Sequence, residues 1–199
     1  MKLTIGSLFI YKIASAEATF LKSKYLEPSH VLLGLLKVED LIRKDSSLAE
    51  KLHIKNKQAL IREVAVLAEF FKEHAIDAKQ LRRRLRFLIS QYQEESGDFS
   101  GHRSTRGKEV LDAAEKIAVK RNEKTLSPMA LLAGCLQTES RFMAMLFNEY
   151  KINTETLIND AQKASLAPIT PDKPEKVLKG KGKEASLKEP QGHKLAKYG

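Results

Sequence analysis

The feature that most constrains this chain is a repeat of itself. Leu26-Glu27-Pro28-Ser29-His30-Val31-Leu32-Leu33-Gly34-Leu35-Leu36 aligns with Leu126-Ser127-Pro128-Met129-Ala130-Leu131-Leu132-Ala133-Gly134-Cys135-Leu136 at an offset of 100, with Leu, Pro, Leu, Gly and Leu recurring in register. The same offset pairs Thr4 with Ser104, Ile10 with Val110, Ala14 with Ala114 and Ala18 with Ala118. Farther along, Phe71, Glu73, Ile76, Asp77 and Leu81 match Phe147, Glu149, Ile152, Asn153 and Leu157 at an offset of 76, so the first copy holds 24 extra residues (100 − 76) between Leu36 and Phe71. Self-similarity at long period marks a duplicated structural unit whose copies cover each other's apolar faces. Two such units predict one pseudo-twofold domain, in which neither half is stable alone.

Local signals make the unit helical. Thr4 and Ser104 are placed to accept the unpaired amide protons of a helix start, Asp77 and Asn153 to do the same for later helices, and Ser127-Pro128 sets a cap before a proline that has no N–H to lose. Apolar residues recur at helical spacing: Ile5, Leu8, Phe9, Ile13, Ala16, Phe20 and Leu21 define one stripe, and Val110, Ala113, Ala114, Ile117 and Ala118 another. No alternating strand pattern appears. The expected helices lie near 5–24, 28–37, 39–52, 57–74, 77–92, 105–122, 128–137, 140–149 and 154–164, with 94–103 as a polar connector. The fold class is all-α: one compact bundle of two repeats, about 3–93 and 103–164, within a domain 1–165.

From Leu166 the composition changes to Pro, Gly and Lys, as in a flexible linker. The chain carries 35 Lys+Arg against 25 Asp+Glu, a formal +10. Residues 166–199 hold eight Lys and four acids, so this basic tail, expected to be disordered, supplies +4 and the bundle keeps +6. Its single cysteine, Cys135, cannot form an internal disulfide, which points to a reducing compartment such as the cytosol. No run of 18 apolar residues exists to span a membrane. The apolar start Leu3 to Tyr11 imitates a signal peptide, but Lys12 interrupts it and the same segment has a counterpart deep in the chain.

The duplicated helix pair, with Ala14 and Ala18 followed by Pro28-Ser29-His30-Val31-Leu32-Leu33-Gly34-Leu35-Leu36, resembles the Clp amino-terminal (Clp R) repeat domain, in which a small residue and then H-x-L-L-G-L-L occur twice. The resemblance covers about residues 3–164, and the second copy has Ala130 in place of the His. Leu195-Ala196-Lys197-Tyr198-Gly199 is similar to the segment with which the first ATPase module opens in ClpA, ClpB and ClpC type unfoldases. The resemblance implies a non-catalytic recognition domain of an ATP-dependent unfoldase, tethered to a hexameric ring and docking adaptor proteins and unfolded or tagged substrates. On this expectation the isolated domain is monomeric, the ring is its partner in cis, and the chain ends where the motor would begin. ATP and Mg would belong to that motor, and no cofactor is expected here. Gly180-Lys181-Gly182-Lys183 does not form a phosphate-binding loop, because Val177 stands where the first glycine should be and Glu184 follows the lysine.

Some ClpC-type relatives bind phosphorylated arginine through a Glu just before the His of each repeat, together with residues at the start of the first helix. Ser29 and Met129 occupy those Glu positions here. The carboxylate that would meet a guanidinium fork is missing from both copies, which counts against phosphoarginine recognition. Thr4, Ser104, Ser29 and Met129 remain candidate partner-binding positions, although capping alone explains Thr4 and Ser104.

The five histidines, His30, His53, His74, His102 and His193, lack zinc-ligand spacing. His30 is read as a packed or capping residue, and Cys135 as a small buried side chain with no partner base. Phe142, Met143, Met145, Leu146 and Phe147 are read as core, with burial of Met143 deciding against an exposed groove. Lys79, Arg82, Arg83, Arg84 and Arg86 surround an inward face of Leu81, Leu85 and Leu88, which sends much of the positive charge to solvent. Lys79, Arg82, Arg83 and Arg86 are therefore further partner-binding candidates. Two other functions compete with the recognition domain: a freestanding regulator competing for adaptors, and a basic nucleic-acid-binding helical protein. Nucleic acid is the disfavoured partner, since no aromatic stacking pattern accompanies the run. The 24-residue insertion, including about Leu48 to Ile61, is expected to add a helix that reshapes the docking surface.

Overall fold

A computed structural model describes residues 1–44, 54–92, 97–138 and 140–164. Eight helices stand among them: α1 (Ile5–Phe20), α2 (Pro28–Lys44), α3 (Ile54–Glu73), α4 (Ala78–Tyr92), α5 (Thr105–Lys120), α6 (Pro128–Gln137), α7 (Arg141–Glu149) and α8 (Thr154–Lys163). The linker 166–199 and the segment 45–53 lie outside the described residues.

The caps are where the sequence puts them. Thr4 Oγ accepts from Ser7 N and Ser104 Oγ from Gly107 N, Ser127 Oγ accepts from Ala130 N with Pro128 behind it, and Asp77 and Asn153 accept from Gln80 N and Thr156 N. Helix endings repeat at the same two offsets. Lys22 and Asn122 both adopt positive φ (53° and 57°), and the next amides, Ser23 N and Glu123 N, bond back to Ala18 O and Ala118 O. Ala75 and Lys151 repeat the device at the 76-residue offset (φ 52° and 54°), followed by Ile76 N to Phe71 O and Ile152 N to Phe147 O. A left-handed residue followed by this long backward bond closes a helix by satisfying its last carbonyls. The duplication is thus written in backbone geometry as well as in residue type.

The two copies are also cross-linked symmetrically. Thr4 N donates to Leu126 O at 3.0 Å, and its counterpart Ser104 N donates to Leu26 O at 3.2 Å. Around the first bond a two-residue parallel ladder forms between β1 (Lys2–Leu3) and β2 (Thr125–Leu126), and around the second stands the single bridge Leu26–Arg103. No strand pattern was legible because two residues are too few to alternate.

Helices α2 and α6 are the central pair, with every residue from Pro128 to Leu136 buried in α6 and Ser29 to Leu36 buried in α2. α1 lies against α2 and α5 against α6, each over a glycine. A Cβ at Gly34 would stand 2.5 Å from Ile10 O, and one at Gly134 2.5 Å from Val110 O. Side chains larger than hydrogen do not fit there, so the helix pairs approach as backbone on backbone.

That close approach corrects the expected stripe on α1. The residues turned inward are Gly6, Ser7, Ile10, Ile13, Ala14, Glu17 and Ala18, whereas Leu8 and Phe20 are 44% and 74% exposed. Small residues define the inner face because the neighbouring backbone leaves no room for large ones. A second correction concerns 28–37 and 39–52, expected as separate helices. α2 runs without a break to Lys44 with Val38 fully buried, since neither glycine nor proline stands between Leu36 and Lys44. The described part of the insertion therefore lengthens α2 and supplies the first half of α3.

Candidate partner-docking surface

The predicted site residues divide into three groups. Met129 is 0% exposed and Ser29 1%, so both belong to the packed interior of the central helices. Met129 presents nothing to a partner. Ser29 only edges a cleft of ≈ 270 Å³ shared by Tyr25, His30, Ile89, Tyr92 and Phe142. Met143 is 3% exposed, which assigns the apolar cluster of α7 to the core as read from the sequence, with Met145 alone turned outward.

Thr4 and Ser104 head α1 and α5, but the first of these helix starts is already occupied. Glu63, from the inserted half of α3, places Oε2 2.5 Å from Thr4 Oγ1 and 2.9 Å from Gly6 N, where both donate to it. Burial pushes the Glu63 carboxyl above its ordinary range, and the two hydrogen bonds offset part of that rise. A helix start concentrates unpaired N–H groups and the positive end of the helix dipole, so an internal carboxylate there takes the place an external anion would use. Nothing in the sequence marked Glu63, because its partners lie 59 and 57 residues away.

The basic run on α4 behaves differently from its sequence reading. Arg82 pairs with Asp40 at 3.1 Å and is only 12% exposed, and Arg86 grips Glu17 through Nε at 2.6 Å and through Nη2. Glu17 is 1% exposed and also receives Lys37 Nζ at 2.6 Å. Burial alone would raise the Glu17 carboxyl, but the hydrogen bonds and charges of Arg86 and Lys37 outweigh it and hold the group below its usual range. Two of the four predicted cationic contacts are thus internal bolts between α4 and the α1–α2 pair. The expectation that much of this charge faces solvent holds for Lys79 and Arg83 and is corrected for Arg82 and Arg86: the flanking helices carry acids at matching heights, which helical periodicity within α4 cannot show.

Lys79 and Arg83 remain exposed and make no ion pair among the described residues. They share one stripe with Phe87, which is 48% exposed, at i, i+4 and i+8. Arg84 lies over the Phe87 ring at 5.0 Å and pairs with Glu149 at 2.8 Å. With Gln80 and Tyr150 they bound an open depression of ≈ 660 Å³ between α4 and the end of α7.

The remaining titratable groups are structural. Glu27 N donates to His30 Nδ1 at 3.0 Å, which leaves the ring proton on Nε2, donated to Ser23 Oγ at 3.0 Å. Burial pulls His30 down to about 4, against a small opposing pull from Glu17. Cys135 is fully buried beside Pro28 O, and burial pushes its thiol up to about 12. Such a thiol is no nucleophile. Among the described residues no group of three His, Cys, Asp or Glu could hold a metal ion, and no helix is long and apolar enough to cross a membrane.

No family model matches the chain, and no curated protein matches it. Solved structures do. The N-terminal domain of the caseinolytic protease associated chaperone ClpD from Arabidopsis thaliana superposes with a TM-score of 0.52 at 16% identity, over 81% of this chain and 96% of that one. The Hsp104 N-terminal domain from Candida albicans gives 0.53 at 14% identity over 81% and 89%. A chain from structural investigations of a malarial protein secretion system gives 0.57 at 18% identity over 82% and 94%. The fold is that of a Clp N-terminal domain. At these identities the likeness establishes architecture, as the duplicated caps and endings already required.

Proposed function

We propose that this chain is the adaptor- and substrate-recognition domain of a Clp-type ATP-dependent unfoldase, acting through its surface and not through a reaction of its own. The observation that carries the reading is the doubled bundle itself, shared in fold with N-terminal domains of two chaperones. The chemistry of the interior supports it. Buried Glu17, Glu63, His30 and Cys135 are each engaged in holding helices together, and none pairs a nucleophile with a base. The nucleic-acid alternative is weakened by the pairing of Arg82 and Arg86 inside the domain, since each phosphate contact needs a free cation.

The test is a fusion of the whole chain to a Clp-type ATPase ring stripped of its own amino-terminal domain, with unfolding of a protein substrate followed against ATP consumption. Faster substrate processing than by the stripped ring, with no ATP turnover by the chain alone, is the expected result. Processing no better than by the stripped ring overturns the proposal.

A further inference from the structure

Lys79, Arg83 and Phe87 stand out because nothing in the fold requires them where they are. Their neighbours on α4 are committed: Leu81, Leu85, Leu88 and Ile89 to the core, Arg82 to Asp40 and Arg86 to Glu17. Holding an aromatic ring half in water while two like charges sit one turn apart on the same stripe costs the isolated domain stability. The charges that face the stripe from elsewhere are Asp77 at the head of α4, whose Oδ1 is occupied by Gln80 N, and Glu149 on α7, held by Arg84. Tyr150 closes the far side of the depression.

We propose that this stripe docks an acidic segment of a partner protein, with an apolar side chain of that segment seated against Phe87 and Tyr150 and its carboxylates on Lys79 and Arg83. The proposal deepens the recognition-domain reading and rests on it. Charge complementarity selects the occupant: two exposed cations that make no ion pair among the described residues lie one and two turns along the stripe from an aromatic ring that Arg84 overlies at 5.0 Å. An exposed aromatic at the end of a row of basic side chains is the chemistry of an interface anchor. A nucleic-acid strand fits less well. Its evenly spaced phosphates would run past Asp77 and Glu149, and two free cations release too few counterions for firm binding. A peptide can place its acids over Lys79 and Arg83 alone.

The experiment uses the full chain, isotopically labelled, titrated with a fluorescent peptide of Asp and Glu interspersed with Leu and Phe. Comparison probes are the same peptide with its acids changed to Asn and Gln, and oligo-thymidylate. Expected are chemical-shift changes centred on Lys79, Arg83, Phe87 and Tyr150, and a loss of affinity of about tenfold or more in K79E/R83E and in F87A, corresponding to about 1.4 kcal/mol. All three altered side chains are exposed, and an unchanged melting temperature checks that the fold is kept. K108E/K116E, the same charge change on α5, is expected to bind as the parent does. Shift changes centred elsewhere, equal weakening by K108E/K116E, equal binding of the amide peptide, or tighter binding of the oligonucleotide each overturn the proposal. If the fused ring still gains activity from K79E/R83E, the docking stripe is refuted while the recognition role stands. If the parent chain confers no gain, the recognition role itself fails.

Discussion

Lowering the pH from about 7 to about 5 should cost this domain stability through one residue, His30. In the folded state its Nδ1 accepts from Glu27 N and its Nε2 proton goes to Ser23 Oγ, with His30 itself 1% exposed. Protonating Nδ1 would set a donor against the Glu27 N donor at a buried ring. The ring accordingly titrates near about 4 in the fold and near 6.5 when unfolded. Between those values the unfolded chain binds the proton and the folded one does not, so stability is complete above about 6.5 and falls as pH drops towards about 4. At about 1.4 kcal/mol per pH unit, the loss reaches roughly 2 kcal/mol by about pH 5 and about 3 kcal/mol in all. Glu63, raised above its ordinary range, works in the opposite direction, gaining a proton on folding as pH falls. The assay therefore compares urea unfolding of the parent and of His30→Asn across this range. The Asn oxygen can still accept from Glu27 N, so the variant keeps the cap without the titration, while Glu63 contributes equally to both. The parent curve should fall relative to the variant by about 2 kcal/mol, with the m-value unchanged. Parallel curves would refute the assignment of Nδ1 as a buried acceptor.

Two further outcomes follow from packing and charge. Gly34→Ala and Gly134→Ala should each destabilise by about 1–3 kcal/mol or more as overpacking. Gly134→Ala should be the worse, since its added methyl also meets Ala114 N at 2.6 Å and Ala114 Cβ at 2.9 Å; equal melting temperatures for parent and variants would contradict the backbone-on-backbone crossing. Glu17→Ile copies the counterpart Ile117 and frees Arg86 and Lys37, 31% and 26% exposed, to reach solvent, whereas Arg86→Ala strands a buried carboxylate with Lys37 alone. Thermal unfolding should show Arg86→Ala losing about 3 kcal/mol and Glu17→Ile clearly less, and the reverse order would be fatal to the bolt as described.

What was legible in the sequence was whatever is decided within a few residues. Thr4, Ser104, Ser127, Asp77 and Asn153 cap because capping needs only the next turn, and Pro128 and Gly134 recur because they serve backbone constraints that both copies share. The phase of α1 was misread because periodicity favours large apolar residues, while a glycine-spaced crossing buries Gly6, Ala14 and Ala18 and leaves Phe20 outside. The candidate surface was half legible. Lys79 and Arg83 are exposed as expected, but the loss of Arg82 and Arg86 to Asp40 and Glu17 depends on partners 42 and 69 residues distant (82 − 40; 86 − 17). Phe87 and Tyr150 carried no signal that separated them from core aromatics. The buried charge of Glu17 was equally hidden, since its counterpart in the other copy is an isoleucine.

The reciprocal bonds between Thr4 and Leu126 and between Ser104 and Leu26 have a consequence for synthesis. As the nascent chain leaves the ribosome, α1 and α2 emerge long before the acceptor at Leu126 and the covering helix α6 exist. The amino-terminal half must wait, with its glycine-lined seam formed but one flank bare to solvent or to a holdase. Both halves can close only once translation has passed Lys163 and α8 is free to pack against α6.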